Sequence, residues 1–216
     1  MGRTVLSKER KTAFQEEYIG HILIFCEGLT EKIYFDYFVS ILEKSKFDDI
    51  QVVIETASGN ASRVYKYAQR YLTEEENNRR YTNHQKYLVF DCDAPENVQN
   101  IIQQAGESCE NFRMLLSNKM FEIWLLMHFE NVEQALSKGE LKNHLSKYLN
   151  REYKKANEGV VREIISNGDV SAAIANAERL CRTYKESGKN ISQNINEMNP
   201  FTNVYELVEQ LVGRVS

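Results

Sequence analysis

The chain has 216 residues, of which 42% are hydrophobic and 27% charged, and its formal net charge at pH 7 is −4. This length and composition predict one well-buried domain, or a domain with a small appendage, and exclude a disordered chain. The negative charge argues against binding nucleic acid through the bulk field of the protein. Such a role would need a local basic face, a partner chain or metal ions that neutralise the acids.

The sequence shows no pattern typical of membrane insertion, secretion or disulfide bonding. No apolar run approaches the roughly 20 residues of a membrane-spanning helix, and residues 1–17 lack the apolar core of a secretory signal. The four cysteines are scattered without a CxxC pair, so neither a disulfide framework nor a zinc site is indicated. We therefore predict a cytoplasmic protein without membrane association.

Strands and helices alternate through residue 130 of the sequence. After a polar N-terminal arm (1–20), the patterns predict the strands Ile22–Phe25, Ile50–Glu55, Tyr87–Phe90 and Asn111–Leu116. Between them they predict the helix Thr30–Leu42, a helix over about Ala61–Asn77 that follows the turn and cap residues Ser58, Gly59 and Asn60, and a helix ending at Gly106. After the last of these strands comes an apolar helix, Lys119–Glu130, capped by Ser117 and Asn118.

The rest of the chain reads as helical. Residues 132–187 show helical patterns with polar breaks, and Asn199-Pro200 predicts the start of a last helix, Phe201–Val212. This order predicts an α/β fold with a mostly parallel sheet flanked by helices over residues 21–131, and a helical C-terminal extension, 132–216, packed on that core.

Acidic residues follow two of the predicted strands. Glu27 comes directly after the first strand, and Asp91 and Asp93 follow the strand Tyr87–Phe90. The carboxyl ends of neighbouring parallel strands meet at one edge of a sheet, where α/β proteins bind ligands. Clustered carboxylates repel one another, and Mg²⁺ or Mn²⁺ relieves that repulsion. Two alternatives remain: the aspartates can bond to turn amides, and Glu27 can cap the following helix.

A basic helix face is a second candidate feature. Arg63, Lys66 and Arg70 share one face of the predicted helix that also carries several tyrosines. The ordinary interpretation is a solvated helix surface. The functional interpretation is a face that contacts phosphates, with the tyrosines serving as packing or base-stacking groups.

Four segments in order resemble the motifs of the RloB-like family: ILIFCEGLTEKIYFDYF, VFDCDAPEN, LLSNKMFEIWLLMHFE and MNPFTNVYELVEQL. This resemblance covers about residues 20–212 and implies a Toprim-like sheet, with Glu27 as the acid of the first motif and Asp91 and Asp93 as metal ligands. The family is related to the Toprim fold of topoisomerases, primases and OLD-type nucleases, and it occurs in bacterial restriction and abortive-infection loci. It implies an ATPase partner and a nucleic-acid substrate, DNA or RNA. Lys119 stands where the family usually has proline. Together with Arg63 and Lys66, it is a candidate for contacting phosphates.

Several residues near these motifs receive supporting roles. Glu122 lies in a helix that is apolar nearly all round, so its carboxylate must be paired. Either the helix N-terminus and Ser117 or Asn118 stabilise it, or it is a further metal ligand. His128 is read as a core residue or as a functional one. Glu31, Ser117, Asn118 and His128 are assigned supporting roles, and buried packing explains Cys26 and Cys92.

Three functions are consistent with these features. The leading hypothesis is a Mg²⁺- or Mn²⁺-dependent nuclease with Glu27, Asp91 and Asp93 as catalytic residues. The second is a non-catalytic module that binds nucleic acid or regulates an ATPase, because the net charge is negative and no obvious catalytic lysine accompanies the acids. A small-molecule phosphotransferase ranks lower, because the sequence has no glycine-rich phosphate loop.

Overall fold

The structure is a computed structural model that describes residues 21–41, 49–54, 60–93 and 95–212. The predicted N-terminal arm, Leu42, Glu55 and the turn residues Ser58 and Gly59 lie outside these ranges. Asn60 lies inside them and caps the following helix as predicted, because its side chain accepts a hydrogen bond from the Arg63 backbone N–H.

A five-stranded sheet organises the described chain, in the order β2-β1-β3-β4-β5. The first four strands are parallel, and β5 joins the edge antiparallel to β4. The predicted α/β fold class, with a mostly parallel sheet flanked by helices, is confirmed and agrees with a Toprim-like arrangement. The strands are β1 (His21–Cys26), β2 (Asp49–Ile54), β3 (Gln85–Asp91), β4 (Arg113–Asn118) and β5 (Phe201–Thr202).

Both faces of the sheet are covered, which explains why its strands are apolar without interruption. Side chains alternate along each strand, so Ile22 and Ile24 enter one hydrophobic cluster while Leu23 and Phe25 enter the other. The helices are α1 (Leu29–Ile41), α2 (Ala61–Thr73), α3 (Glu75–Tyr81), α4 (Pro95–Gly106), α5 (Glu122–Leu126), α6 (Lys138–Leu149), α7 (Glu158–Asn167), α8 (Val170–Glu186), α9 (Ile191–Asn194) and α10 (Tyr205–Val212).

The two faces carry different helices. Buried side chains of α1, α5, α6, α7 and α10 pack in the cluster of Ile22 and Ile24, whereas those of α2 and α4 pack in the cluster of Leu23 and Phe25. The first cluster joins helices from both sides of residue 131. The boundary itself stays a prediction.

The helix predicted over Ala61–Asn77 is two helices. Glu74 has an extended backbone, with ψ at 127°, so α2 ends at Thr73 and α3 starts at Glu75. Asn78 donates from its side-chain amide to the Leu72 carbonyl, which satisfies one acceptor left by the break.

The apolar helix predicted over Lys119–Glu130 is wrong in its bounds. Ser117 and Asn118 are strand residues of β4, paired with Thr202 and Phe201 of β5, and the helix α5 covers only Glu122–Leu126. Ser117 and Asn118 were predicted to cap this helix, but their backbone groups instead pair with the strands beside β4.

The helix predicted from Asn199-Pro200 also starts later than expected. Phe201 and Thr202 form β5, and the helix α10 begins at Tyr205. The C-terminal region therefore contributes a strand to the sheet, and its predicted content of helices alone is wrong. Among the described residues, no helix combines the length and the apolar character needed to span a bilayer.

Candidate active site

The structure brings Glu27 and Asp91 together at the carboxyl edge of the sheet. Strands β1 and β3 are adjacent and parallel, and the Glu27 backbone N–H donates to the Val89 carbonyl (3.0 Å). The Asp91 backbone N–H in turn donates to Glu27 Oε2 (3.0 Å). The side chain of Glu27 therefore bridges the two strand ends, as the order of the motifs led us to expect.

Asp91 is buried and faces several other acids. Its Oδ1 accepts a hydrogen bond from the Phe121 backbone N–H (2.7 Å), and its Oδ2 lies 3.8 Å from Lys155 Nζ. Burial raises the pKa of Asp91 well above its usual range. The charges of Glu31, Glu27 and Glu122 raise this pKa further, while Lys155 opposes them.

Asp93 occupies a different environment from Asp91. The strand ends at Asp91, so strand geometry does not persist to Asp93, and its exposed side chain pairs with Lys138 Nζ (2.9 Å). The expectation that the two aspartates project to the same side is not met for this reason. The charge of Asp93 nevertheless raises the pKa of Glu27, so these two carboxylates interact.

Glu27 titrates near neutral pH. Burial raises its pKa from 4.5 to about 7, with further increases from Glu31 and Asp93. The hydrogen bond from the Asp91 N–H and the charge of Lys155 act in the opposite direction. A carboxyl group with such a pKa can exchange a proton at physiological pH, which is a property of general acids and bases.

Glu31 belongs to the acid cluster itself. It lies on α1 with 1% of its surface exposed, and its Oε2 has no hydrogen-bond partner among the described residues. Burial raises its pKa, and the charge of Glu122 adds to this effect. Gly28 makes the necessary space, because a Cβ at that position would lie 2.7 Å from Glu31 Oε2.

Glu122 is fully buried beside the same cluster. Its Oε1 accepts a hydrogen bond from the Tyr153 hydroxyl (2.9 Å), and its Oε2 lies 3.7 Å from Lys155 Nζ. Within the described part of the chain, Oε2 has no hydrogen-bond partner.

Ser117 and Asn118 do not stabilise Glu122, contrary to the first of our two interpretations. The Ser117 hydroxyl bonds to that of Thr202 (3.1 Å). The Asn118 side-chain amide donates to the carbonyls of Ile195 (2.9 Å) and Met198 (2.8 Å). Both residues therefore attach the C-terminal segment to β4 and support the site through the fold.

Sequence reasoning missed Tyr153 and Lys155, because it found no obvious catalytic lysine near the acids, whereas the structure places Lys155 beside Asp91 and Glu122. Both residues lie in the loop between α6 and α7, with Tyr153 31 positions and Lys155 33 positions after Glu122. Burial lowers the pKa of Lys155, but Glu122, Asp91, Glu31 and Glu27 outweigh it and raise the pKa overall. A lysine in a polar segment resembles a solvated residue, so no local signal marks it. The left-handed backbone of the neighbouring Ala156 (φ 58°) appears only in the structure.

The residues at this edge have the donor chemistry for a hard divalent cation. The candidate ligands are all carboxylates, and two buried carboxylate oxygens, Glu31 Oε2 and Glu122 Oε2, have no hydrogen-bond partner in the part of the chain that the structure describes. Oxygen donors of this kind suit Mg²⁺ or Mn²⁺. Within the described ranges, however, no three His, Cys, Asp or Glu side chains are arranged to bind one ion. The donor chemistry therefore fits such an ion, and the binding of Mg²⁺ or Mn²⁺ stays a prediction.

The predicted phosphate-contacting residues lie at the surface. Arg63 and Lys66 are exposed on α2, which packs on the face of the sheet opposite to α1 and α5. Lys119 is exposed between β4 and α5. Their contact with phosphates stays a prediction. The tyrosines of α2 serve packing, since Tyr67 and Tyr71 both make edge-to-face contacts with Phe25.

His128 and the two cysteines beside the acids are core residues. His128 is 2% exposed, and its Nε2 lies 3.1 Å from the Tyr34 hydroxyl. Burial lowers the pKa of His128 to about 4, so it is neutral at physiological pH. Burial raises the pKa of the Cys26 and Cys92 thiols, which makes them unreactive and agrees with the packing role expected for them.

Comparison with known proteins places the chain in one family. A family model described as RloB-like protein matches residues 22–211, which include every strand of the sheet except the first residue of β1. Searches of the curated proteins and of the solved structures found no match to this chain.

Proposed function

We propose, from the premise that this chain belongs to the RloB-like family, that it is a divalent-metal-dependent nuclease. It would hydrolyse phosphodiester bonds of DNA or RNA in bacterial antiphage defence. The observation that carries the proposal is the convergence of Glu27, Asp91, Glu31 and Glu122 at one sheet edge, where two buried carboxylate oxygens have no hydrogen-bond partner among the described residues. Charges buried in this way are retained where they bind a cation or do chemistry. The defence role is inferred from the family resemblance alone.

Each residue of the cluster would have a separate task. Glu27, Asp91 and Asp93 would hold the ion, with Glu122 as a further ligand. Bound Mg²⁺ or Mn²⁺ supplies activation of water and stabilisation of charge on the phosphoryl oxygens. Asp91 Oδ1 is held by the Phe121 N–H, which orients its Oδ2 toward the cluster. Glu27 Oε2 accepts the Asp91 N–H, which leaves Oε1 to hold or release a proton near neutral pH.

Cleavage assays on the purified chain test this proposal. The substrates are tRNA, single-stranded DNA and RNA, and duplex DNA, each with Mg²⁺ or Mn²⁺ and with EDTA as the metal-free control. We expect Asp91→Asn to lower the rate by about 100-fold or more, the scale of losing one charge-stabilising group. Asp36→Asn removes an exposed acid that pairs with Lys32, and it should leave the rate unchanged. Equal rates for wild type and Asp91→Asn would refute the site assignment.

A non-catalytic module is the second candidate. It is favoured by the pairing of Asp93 with Lys138 and by the lack, among the described residues, of three side chains already arranged around one ion position. Such a module would bind nucleic acid or regulate an ATPase partner in the cytoplasm. Titration of Mn²⁺ separates the two functions: no binding, together with intact association with a co-expressed ATPase from the same locus, would favour the module.

A further inference from the structure

Lys155 places a positive charge among the buried carboxylates. Its Nζ lies 3.7 Å from Glu122 Oε2 and 3.8 Å from Asp91 Oδ2. Both distances exceed those of N–H···O hydrogen bonds, so the contacts are purely ionic. Among the described residues, Lys155 Nζ makes no hydrogen bond. The ammonium group therefore offsets part of the negative charge of the cluster without direct bonds to any one oxygen.

Two hydrogen bonds on either side of Lys155 direct it toward the acids. The Tyr153 hydroxyl donates to Glu122 Oε1 (2.9 Å), and the Ala156 backbone N–H donates to Thr30 Oγ1 (2.9 Å). Tyr153 and Thr30 are both buried. Ala156 also adopts a left-handed backbone conformation (φ 58°), which costs free energy in a residue other than glycine. The loop is thus held by the cluster that Lys155 faces, and its position is not that of a freely solvated lysine.

A divalent ion and this ammonium group would compete for the same carboxylate oxygens. Magnesium binds carboxylate oxygens at about 2.1 Å, so it would contact Glu122 Oε2 and Asp91 Oδ2 far more closely than Lys155 does. Two cations held by the same oxygens repel each other at short range. Lysine has a flexible four-carbon stem, and the Lys155 side chain is 40% exposed, so its charged end can move into solvent.

We propose that Lys155 is an internal counter-cation that occupies the position of the divalent ion in the metal-free protein and withdraws when an ion binds. This inference rests on the metal-dependent function proposed above. In this arrangement Lys155 holds the acids together without metal, and it weakens the affinity for the ion because the ion must first displace it. Lys155 is then a positioning residue whose removal tightens ion binding.

Isothermal titration of Mn²⁺ into the full chain at fixed neutral pH tests this role. We expect Lys155→Met to bind Mn²⁺ about tenfold or more tightly than wild type, a change of about 1.4 kcal/mol. Lys155→Arg keeps the charge and should restore an affinity close to that of wild type. Lys154→Met makes the same change at the exposed neighbouring lysine, and its affinity should equal that of wild type.

The direction of the change separates this role from a structural one. Damage to the loop would weaken Mn²⁺ binding, whereas loss of a competing cation strengthens it. Lys155→Gln, with a polar end, serves as the second variant if Lys155→Met does not fold. Mn²⁺ binding by wild type, with equal or weaker binding by both neutral variants, overturns the inference and leaves the proposed function intact. Absence of binding in wild type and in every variant overturns the proposed metal site itself, and this inference with it.

Discussion

Replacing Glu27 by glutamine should stabilise the metal-free protein at the expense of its activity. The substitution keeps the shape of the side chain and an oxygen that can accept the Asp91 N–H, but it removes a charge from a crowded acidic cluster. In the absence of metal, the Glu27 charge is repelled by Glu31 and Asp93. A neutral side chain avoids both this repulsion and the loss of hydration.

The size of the gain follows from the pKa of Glu27. Its folded-state pKa of about 7 lies above the ordinary value of 4.5. Each pH unit between these values costs about 1.36 kcal/mol when the group ionises, so the full cost is slightly more than 3 kcal/mol. Glu27 is partly exposed, and solvent reduces this figure to about 2 kcal/mol. For a chain of this length the melting temperature should rise by about 4–8 °C.

The gain should depend on pH in one direction. A raised folded-state pKa means that the stability of wild type is fully present below pH 4.5 and is lost as the pH rises through about 7. The advantage of Glu27→Gln is therefore complete at about pH 8 and absent near pH 4.5.

Thermal unfolding of both proteins in EDTA, followed by circular dichroism across this pH range, measures the difference. Glu186→Gln makes the same change at an exposed acid and should leave the melting temperature unchanged. In the cleavage assay, Glu27→Gln should be inactive at every pH. A melting temperature equal to or below that of wild type at about pH 8, or a gain that does not vary with pH, would show that the reasoning is wrong.

Three further predictions concern the scaffold and use unfolding measurements. Because the folded-state pKa of His128 is lowered from 6.5 to about 4, the stability of wild type relative to His128→Gln should fall by up to about 3 kcal/mol as the pH drops between these values; a constant difference contradicts it. Gly168→Ala should lower the free energy of unfolding by about 1–3 kcal/mol, since the added Cβ would lie 2.6 Å from His128 Cβ. Gly106→Ala adds a Cβ in open space and should lower it much less, so equal losses would refute the packing argument. Asn118→Ala should cost about 2 kcal/mol because two buried carbonyls before β5 lose their donor; a cost no larger than that of the exposed Asn196→Ala would contradict this.

Local patterns accounted for the two strands that carry the site. Ile22–Phe25 and Tyr87–Phe90 are short apolar runs, and each ends near an acid. Once two such strands are parallel neighbours, their ends must lie at the same edge, so the meeting of Glu27 and Asp91 was predictable. The expected direction of the Asp93 side chain was wrong because the strand stops at Asp91, and the position of a strand end depends on what its neighbours pair with.

The sequence by itself determined the fold class, the family and the carboxylates at the ends of β1 and β3, because hydrophobic period and residue type are local properties. Tertiary structure alone decided the remaining features. Strand β4 extends through Asn118 because β5, more than 80 residues later, pairs with it. Lys155 reaches Asp91 across 64 positions of sequence, and Glu31 and Glu122 become neighbours only through helix packing on one face of the sheet. Electrostatic interactions depend on distance in space, which no local pattern encodes.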